Sequence, residues 1–593
     1  KNTDNPMSFK ISRRELLHKS LASLGALSLP ISLTACDGDS EDGVLSNKVK
    51  AEFLHGVASG DPLQDKVILW TRLTLNDVSA RLELSWEIAL DQQFKNVVNS
   101  GKVQTSQAQD FTVKVDANKL RSNQQYYYRF HYGTVTSPIG QTKTLPENPQ
   151  TVSFAVCSCS NYPAGYFHVY REIAKQNVDV VIHLGDYIYE YGQGGYASED
   201  AARLGRELAA DNNQEMIKLE DYRKRYALYR TDLDLQTVHQ RHAFIVIWDD
   251  HELANDAWKN GAENHTEESA NNKNEGQFIE RKIAALQAYF EWMPIRPVSD
   301  HDHLNIYRQF NFGNLVQLNM LDTRVLARDR QLNYADYMTA QGMDFPRFQQ
   351  DLTQATRTLM GDKQLHWLQT QLEQSSAIWN VLGQQVLMSK MLIPAELLEP
   401  LSQMDIVSLN QKIPELVTLK IRLLQGDPSL TEIEKARLTV VAPYNLDAWD
   451  GYSAEREKLY ATLKKVNKKV VVLAGDTHNA WTSDLHSQTG EHIGLELATS
   501  SVSSPGLEQY LNIPLAQLQQ FELAFTTLIN ELNYCNLNQR GYLTVNFTAQ
   551  QMQANWVFVS SIKEQQYTVD HDRSYYILVD TVLSDIKDTQ KIA

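Results

Sequence analysis

The sequence has few cysteines and no excess of basic residues, and both shortages limit what the chain can do. Four cysteines in 593 residues cannot form a disulfide framework, and their positions (36, 157, 159 and 535) do not have the spacing of a zinc ribbon. Lys and Arg number 56 against 72 Asp and Glu, so the net charge is −16. This charge repels a polyanion and argues against nucleic acid bound through its phosphate backbone.

Two catalytic motifs are also missing. The sequence has no Gly-x-Ser-x-Gly elbow and no Gly-Lys-Ser/Thr loop that would cradle nucleotide phosphates, so a covalent seryl-phosphate route is unsupported. At 42% apolar and 22% charged residues, the chain can bury a large core. Because it is longer than a single core usually allows, we expect one large domain and one small domain.

Residues 1–36 have the composition of a targeting segment. Arg13 and Arg14 resemble the twin-arginine signal, which predicts export by the twin-arginine machinery to the periplasm or cell envelope. The uncharged stretch that follows is too short and too weakly apolar for a typical spanning helix. It ends in "LTAC", which resembles a lipoprotein cleavage box and would make Cys36 a lipidated membrane anchor. An ordinary leader with a chance cysteine is the alternative.

The rest of the chain divides by its hydrophobic pattern. Residues 37–50 are polar and predict a linker. Residues 51–148 contain short alternating runs such as "RLELSWEIAL" and "QQYYYRFHYG", which are typical of an all-β domain. From 149 to 593, near-continuous apolar runs such as "VDVVIHLGD" and "KKVVVLAGDTH" alternate with helical periods and predict a layered α/β domain. A mostly helical insertion is predicted at about 395–440.

Four predicted strands end in side chains that can bind metals. They are followed by Cys159, by Asp186 and Tyr189, by Asp249, Asp250, His251 and Glu252, and by Asp476 and His478. Any one of these residues alone is most simply a turn residue, a helix cap or a buried thiol. Ligands of open α/β sheets bind beyond the carboxyl ends of the strands. So many carboxylates at one edge would repel one another unless cations lay among them.

Taken in order, the motifs resemble those of one enzyme family. "GVASGDP", "GDYIYE", "WDDHELANDAW", "LDTR", "NLDAWDGY", "LAGDTHNAW" and "SVSSPGLE" are similar to motifs of the PhoD-type alkaline phosphatases, relatives of the calcineurin-like and purple acid metallophosphoesterases. The resemblance extends from about residue 52 to about 560. It implies a four-layer metallophosphatase-like β-sandwich flanked by helices, preceded by a small all-β domain of the immunoglobulin or fibronectin type.

The resemblance also implies metal ligands. It makes Asp186 the bridge between two ions, Asp476 a metal ligand, and His478 a ligand of metal or phosphate. The turn "SNY" matches the family's turn and selects Cys159 rather than Cys157. With Tyr189, this thiolate favours Fe³⁺ over Zn²⁺ or Mg²⁺, and the family resemblance implies one ferric ion accompanied by Ca²⁺.

Four further residues receive roles or alternatives. Asp250 is expected on the second metal, and His251 would donate a proton to the leaving oxygen or hydrogen-bond the phosphate. Asn255 is either a Ca²⁺ ligand or an ordinary polar residue at a helix start. Arg324 either holds a phosphate oxygen or forms a structural salt bridge.

The expected function is hydrolysis of small phosphate esters by a metal-held oxygen nucleophile that attacks phosphorus in line. A phosphodiesterase or phospholipase D-like hydrolase is the alternative within enzymes. From a different class, the chain could be a non-catalytic envelope lipoprotein that binds a surface partner. That interpretation predicts lost metal ligands, whereas every motif here retains its metal-competent residues.

Overall fold

The computed structural model describes residues 51–75, 81–267, 274–297, 304–578 and 587–589. The twin-arginine leader, Cys36 and the linker 37–50 lie outside these ranges, so their roles stay predictions. From residue 51 onward the described residues belong to one compact unit. Within them, no helix combines the length and the apolar character needed to cross a bilayer.

Two large β-sheets dominate the described residues. The first has ten strands, in the spatial order Lys587–Thr589, Val569–Leu578, Gln551–Val559, Arg540–Thr548, Thr151–Cys157, Val180–His183, Ala243–Val246, Val57–Gly60, Val67–Arg72 and Thr112–Ala117. The second has seven strands, in the order Arg308–Phe312, Val316–Met320, Trp379–Gly383, Lys469–Ala474, His492–Ala498, Ala480–His486 and Leu532–Asn536. The central strands of each sheet run parallel to their neighbours. Their carboxyl ends therefore meet at one edge.

The centres of both sheets are buried, as the near-continuous apolar runs predict. Every residue of Val180–His183 and of Trp379–Gly383 is buried. Side chains of the two sheets, such as Val156 and Leu473, belong to one apolar cluster, so the sheets pack against each other. The predicted mixed α/β architecture is confirmed.

The helices cover the sheets. Their bounds are His168–Ile173, Ala201–Leu204, Leu219–Tyr229, Leu233–Arg241, Phe278–Trp292, Phe345–Leu352, Gly361–Gln374, Leu398–Ser402, Ile406–Leu424, Glu432–Thr439, Ser453–Val466, Leu507–Tyr510 and Leu518–Leu528. The 395–440 region thus contains three of them. The longest begins where the Asp405 carboxylate accepts hydrogen bonds from the backbone N–H groups of Val407 and Ser408. Its apolar face packs in the cluster that lies against the seven-stranded sheet.

The N-terminal region is tied to the α/β part by a shared sheet. Its own sheet consists of Leu82–Ala89, Val97–Thr105, Gln125–Tyr132, Val135–Thr136 and Gly140–Lys143. This sheet shares an apolar core with the strands Val67–Arg72 and Thr112–Ala117. Those strands continue the ten-stranded sheet, because Val57–Gly60 pairs in parallel with Ala243–Val246. The alternating pattern predicted the strands but carried no sign of this pairing. Paired short strands complete the fold: Ala51–Glu52 with Thr74–Leu75, Met338–Thr339 with Gly342–Met343, and Leu392–Pro394 with Val441–Pro443.

The motif "GVASGDP" lies at this junction. A Cβ atom on Gly60 would lie 2.1 Å from the carbonyl oxygen of Pro294, so only glycine fits there. Asp61 follows with a φ of 42°. Its carboxylate pairs with the Arg308 guanidinium at 2.6 Å and accepts the backbone N–H of Arg296 at 2.7 Å. These contacts give the motif a structural role in joining the two parts of the chain.

Candidate metal centre

Strand ends from both sheets bring the predicted residues together. Three groups of ligand atoms, each with all atoms within 4.8 Å of one another, are Cys159, Asp186 and His478; Asp186, Asp250 and His251; and Asp249, Asp250 and Asp476. Asp186 is common to the first two groups and Asp250 to the last two. The groups therefore form one continuous cluster in which Asp186 has the shared position that the motif order predicts.

The backbone turns sharply where the strands end. Cys159, Asp186, Asp476 and His478 have φ angles of 61°, 56°, 62° and 61°. Residues other than glycine seldom adopt this left-handed conformation, which costs on the order of 1–3 kcal/mol and is concentrated at functional sites. Four such residues in one cluster explain why the apolar runs stop so abruptly. The turn ends each strand directly at its polar side chain.

Three carboxylate oxygens of the cluster lack a hydrogen-bond partner within the described part of the chain. Among the described residues, Asp186 Oδ1, Asp249 Oδ2 and Asp250 Oδ1 are buried and have no hydrogen-bond donor. Leaving such an oxygen buried and unsatisfied is costly, so native proteins pair nearly all of them. Multivalent cations bound among the ligand groups would satisfy these oxygens.

The pKa values of the clustered carboxyl groups also indicate that cations belong here. Burial raises the pKa of Asp186 well above its usual range, and although His251 opposes this, the carboxylates of Asp250 and Asp249 add to it. Burial likewise raises the pKa of Asp476 to about 7. Without cations, these carboxylates cannot all be ionised at neutral pH. A bound metal reverses this by favouring the anionic forms, so the residues present fit a metal centre.

The side of the cluster near Cys159 carries the softer donors. Tyr189 Oη donates to Asp186 Oδ2 at 3.1 Å and accepts a hydrogen bond from Ser504 Oγ at 2.6 Å. Burial, followed by the charge of Asp186, raises the pKa of both the Cys159 thiol and the Tyr189 phenol. Both groups would therefore become anionic ligands only with a cation beside them.

His478 is held as a neutral acceptor. Its Nδ1 lies 2.7 Å from the carbonyl oxygen of Pro505, which can only accept, so Nδ1 carries the proton. The lone pair is then on Nε2, which lies 3.3 Å from Tyr189 Oη. Burial lowers the pKa of His478 to about 3. A neutral imidazole whose Nε2 carries a lone pair suits a metal better than a phosphate, because a phosphate needs a hydrogen-bond donor.

Arg324 neutralises carboxylates on the side of the cluster away from Cys159. Its side chain is fully buried, and Nε bonds to Asp249. Nη1 donates to Asp447 at 2.7 Å and Nη2 lies 3.3 Å from Asp476 Oδ1. These contacts match the salt-bridge alternative, and the phosphate-binding role stays a prediction. Asp447, which also bonds to Arg328, received no role from the sequence although it lies in "NLDAWDGY".

His251 is positioned by Glu190. Its Nδ1 lies 2.8 Å from Glu190 Oε2, and its ring stacks on Tyr189 with centroids 4.2 Å apart. Burial opposes protonation, but Asp250 and Glu190 raise the pKa of His251 well above its usual value. In the absence of bound cations these carboxylates favour the protonated imidazole, which is the form that a proton donor needs. Glu190 is the last residue of "GDYIYE", and its position in this quoted motif was the only signal of its role.

Glu252 holds two of the strand-end loops together. Its buried carboxylate accepts the backbone N–H groups of Asp186 at 3.1 Å, Tyr187 at 2.6 Å and Asp249 at 2.8 Å. The residue was among the metal-competent side chains at the strand ends. Its three hydrogen bonds instead give it the role of fixing the backbone of the candidate ligands.

Asn255 lies beside the cluster. Its backbone N–H donates to Glu190 at 2.7 Å, and its side-chain amide nitrogen donates to the Glu263 carboxylate. The proposed Ca²⁺ contact stays a prediction. Asp249 belongs to one of the three ligand groups. The sequence placed it among the metal-competent residues at the strand ends but gave a metal role only to its neighbour Asp250.

Comparison with known proteins shows similarity to one protein family along most of the chain. Residues 154–556 match the family model described as PhoD-like phosphatase, and residues 39–146 match the model of the PhoD-like phosphatase N-terminal domain. The chain is 34% identical to alkaline phosphatase D of Bacillus subtilis (strain 168) over 499 residues, which are 82% of this chain and 75% of that protein. A solved structure of PhoD is similar with a TM-score of 0.72 and 30% identity, covering 93% of this chain and 94% of the other.

Proposed function

Because the chain belongs to the PhoD-like phosphatase family, we propose that it is an exported alkaline phosphatase that hydrolyses phosphate esters at a cluster of metal ions. Family membership supports the phosphatase function itself. Metal dependence is supported by one observation above all. Of the three ligand groups, two share Asp186 and two share Asp250, and each group contains a buried carboxylate oxygen without a hydrogen-bond donor among the described residues.

The donor types suggest which ions are bound. Cys159, Tyr189 and Asp186 would hold Fe³⁺, because thiolate and phenolate ligands favour a highly charged ion. The carboxylates of Asp250 and Asp476 suit Ca²⁺, which prefers several oxygen ligands. His478 presents the lone pair of its Nε2 on the Cys159 side, and Asn255 remains a candidate for the calcium side.

The protein's own residues would then have distinct tasks. When bound, the ions would polarise the phosphate and lower the pKa of a coordinated water. His251, held by Glu190, would give its proton to the leaving oxygen of the alcohol. Arg324 would hold the surrounding carboxylates in place, and the burial of the cluster would keep bulk water away from the phosphate.

Metal analysis tests the identity of the ions. We expect the purified protein to contain iron and calcium and to absorb visible light, because a phenolate bound to Fe³⁺ gives a charge-transfer band. Removal of calcium with EGTA should lower the hydrolysis of 4-nitrophenyl phosphate by about 10²-fold or more, and Ca²⁺ should restore it. An active protein that is colourless and free of iron would contradict the assignment of Tyr189.

Replacing His251 by Gln tests the proton donor. We expect kcat/KM to fall on the order of 10²-fold, with a greater fall for alcohols of low acidity because these leave only when protonated. Measurement with a series of aryl phosphates of graded leaving-group acidity checks this. An equal loss for every leaving group would show that His251 does not supply the proton.

Several further points belong to the same proposal. They are export by the twin-arginine machinery, anchoring through a lipidated Cys36, the division into a 51–148 domain and a 149–593 catalytic domain, and the four-layer arrangement. A phosphodiesterase is the alternative activity. Comparing 4-nitrophenyl phosphate with bis(4-nitrophenyl) phosphate separates monoester from diester preference, and turnover of neither ester would contradict both.

A further inference from the structure

Three tyrosine rings form a stack that leads from the candidate metal centre to the surface. The centroids of Tyr189 and Tyr196 are 6.0 Å apart with planes inclined by 26°. Those of Tyr196 and Tyr510 are 6.1 Å apart with planes inclined by 16°. Such offset, nearly parallel geometry is favourable for aromatic pairs. The first ring belongs to the candidate iron ligand, so the stack begins at the reaction centre.

Exposure increases along the stack. Tyr189 is 2% exposed and Tyr510 is 43% exposed, with Tyr196 between them. Among the described residues, Tyr196 is the ring neighbour of Tyr510, so part of the outer ring is left for contact with another molecule. A large aromatic surface beside a reaction centre is typical of binding sites, because tyrosine offers much contact area at little cost in conformational entropy.

Hydrogen bonds connect the outer rings to the candidate metal ligands. Tyr510 Oη donates to Tyr196 Oη at 2.8 Å. Tyr196 Oη lies 3.3 Å from His478 Nδ1 and 3.4 Å from the carbonyl oxygen of Pro505. The rings therefore have a fixed position relative to the cluster rather than projecting freely from the surface.

The segment that follows Tyr510 carries no charged residue up to Phe521, and the nearest charge before it is Glu508, which pairs with Arg540. Residues 509–521 contain no Asp, Glu, Lys or Arg, although the chain as a whole carries a net charge of −16. Leu515, in the same segment, is 78% exposed. A surface of this kind favours an uncharged, apolar group over an ionic one.

We propose that Tyr510, supported by Tyr196, binds a planar ring in the alcohol part of the substrate and so determines specificity. The inference rests on the proposed phosphatase function and names the class of alcohol that the same site prefers. With the phosphate at the metal cluster, an alcohol with one small ring has little contact with Tyr510. An alcohol that is extended by a second planar ring can stack that ring on Tyr510.

Three aryl phosphates test this proposal: phenyl phosphate, 4-biphenylyl phosphate and 4-cyclohexylphenyl phosphate. They have nearly the same leaving-group acidity, and the last two have similar length, but only 4-biphenylyl phosphate has a planar outer ring. For the unmodified, metal-loaded protein we expect kcat/KM to be about 5- to 10-fold higher for 4-biphenylyl than for phenyl phosphate, as one stacking contact predicts. For 4-cyclohexylphenyl phosphate we expect kcat/KM to exceed that for phenyl phosphate by about 2-fold or less.

Two variants separate the ring from its hydroxyl group. In Tyr510→Ala the ratio of kcat/KM for 4-biphenylyl to phenyl phosphate should fall to about one. In Tyr510→Phe, which keeps the ring but loses the hydrogen bond to Tyr196, most of the ratio should persist. Because each ratio is measured within one protein, a general loss of folding or metal content cancels. Competitive inhibition by the corresponding phosphonates, which are not hydrolysed, should show the same ratios.

The outcomes are distinct. If phenyl phosphate is hydrolysed and the ratio is unchanged in Tyr510→Ala, the specificity role is wrong while the phosphatase function stands. An equal preference for the 4-cyclohexylphenyl ester would overturn planar stacking as the cause. If the metal-loaded protein hydrolyses none of the three esters, the proposed function is wrong and this inference is overturned with it.

Discussion

Replacement of Asp186 by Asn is expected to lower kcat/KM for 4-nitrophenyl phosphate on the order of 10⁴-fold, since the loss of metal-based stabilisation amounts to several kcal/mol and each 1.36 kcal/mol is tenfold. Asp186 is common to two of the three ligand groups, and its Oδ1 has no donor among the described residues. An amide in this position removes one negative charge and can direct N–H groups toward the cations. Both effects should weaken binding of the ions on either side.

The variant should nevertheless fold. Asn tolerates the left-handed conformation of Asp186, whose φ is 56°, and the backbone N–H that donates to Glu252 remains. Burial and the nearby carboxylates already disfavour the anion in the metal-free protein, so removing the acid should not lower the melting temperature of that form. A fall in activity with an unchanged metal-free melting temperature would therefore locate the defect in metal binding.

Asp211→Asn is a matched control. The Asp211 side chain is 71% exposed and pairs with Lys224, so the same chemical change there should leave kcat/KM within about 2-fold, because surface ion pairs contribute little. Metal analysis of both variants completes the test. Asp186→Asn protein that keeps full iron content and full activity would rule out the bridging role.

The strands and their polar ends could be predicted because each depends on local sequence. A strand buried on both faces must be apolar throughout, so a run such as "VDVVIHLGD" marks both Val180–His183 and the point where it stops. The parallel order of the strands then requires that Asp186 and Asp250 lie at the same edge. This general rule predicts that most of the candidate ligands lie together.

The remaining features depend on contacts between distant parts of the chain. Asp447 follows the short strand Val441–Pro443, which belongs to neither large sheet, and its bonds to Arg324 and Arg328 hold it beside the cluster. Glu190 is four residues beyond Asp186, and nothing local distinguishes a carboxylate that orients His251 from one at the surface. The pairing of Val57–Gly60 with Ala243–Val246 is likewise a matter of packing, because an alternating strand does not specify its neighbour.

Replacement of Arg324 by Gln is expected to destabilise the metal-free protein by about 3–5 kcal/mol, the usual cost of leaving buried charges without their partner. The guanidinium is fully buried and contacts the carboxylates of Asp249, Asp447 and Asp476. Glutamine has no positive charge and cannot bond to all three groups. Urea unfolding of the metal-stripped protein, compared with unmodified chain treated in the same way, measures the loss.

The effect of Ca²⁺ on the melting temperature distinguishes a structural role of the Arg324 guanidinium from a phosphate-binding role. If Arg324 and the metal ions both neutralise these carboxylates, its loss makes the protein more dependent on the ions, and the rise in melting temperature on adding Ca²⁺ should be larger in Arg324→Gln than in the unmodified protein. Arg324→Lys should recover part of the stability, because lysine keeps the charge but not the planar fork that bonds several carboxylates.

Arg437→Gln provides the comparison at a partly exposed pair. Arg437 contacts Glu396 at 2.7 Å with 31% of its side chain exposed, so its loss should cost no more than about 1 kcal/mol and should not depend on Ca²⁺. A small, calcium-independent effect at Arg324 would contradict the charge-neutralising role. If the substitution instead raised KM for the phosphate ester without changing the unfolding free energy, Arg324 would be a phosphate-binding residue, which is the alternative that the sequence left open.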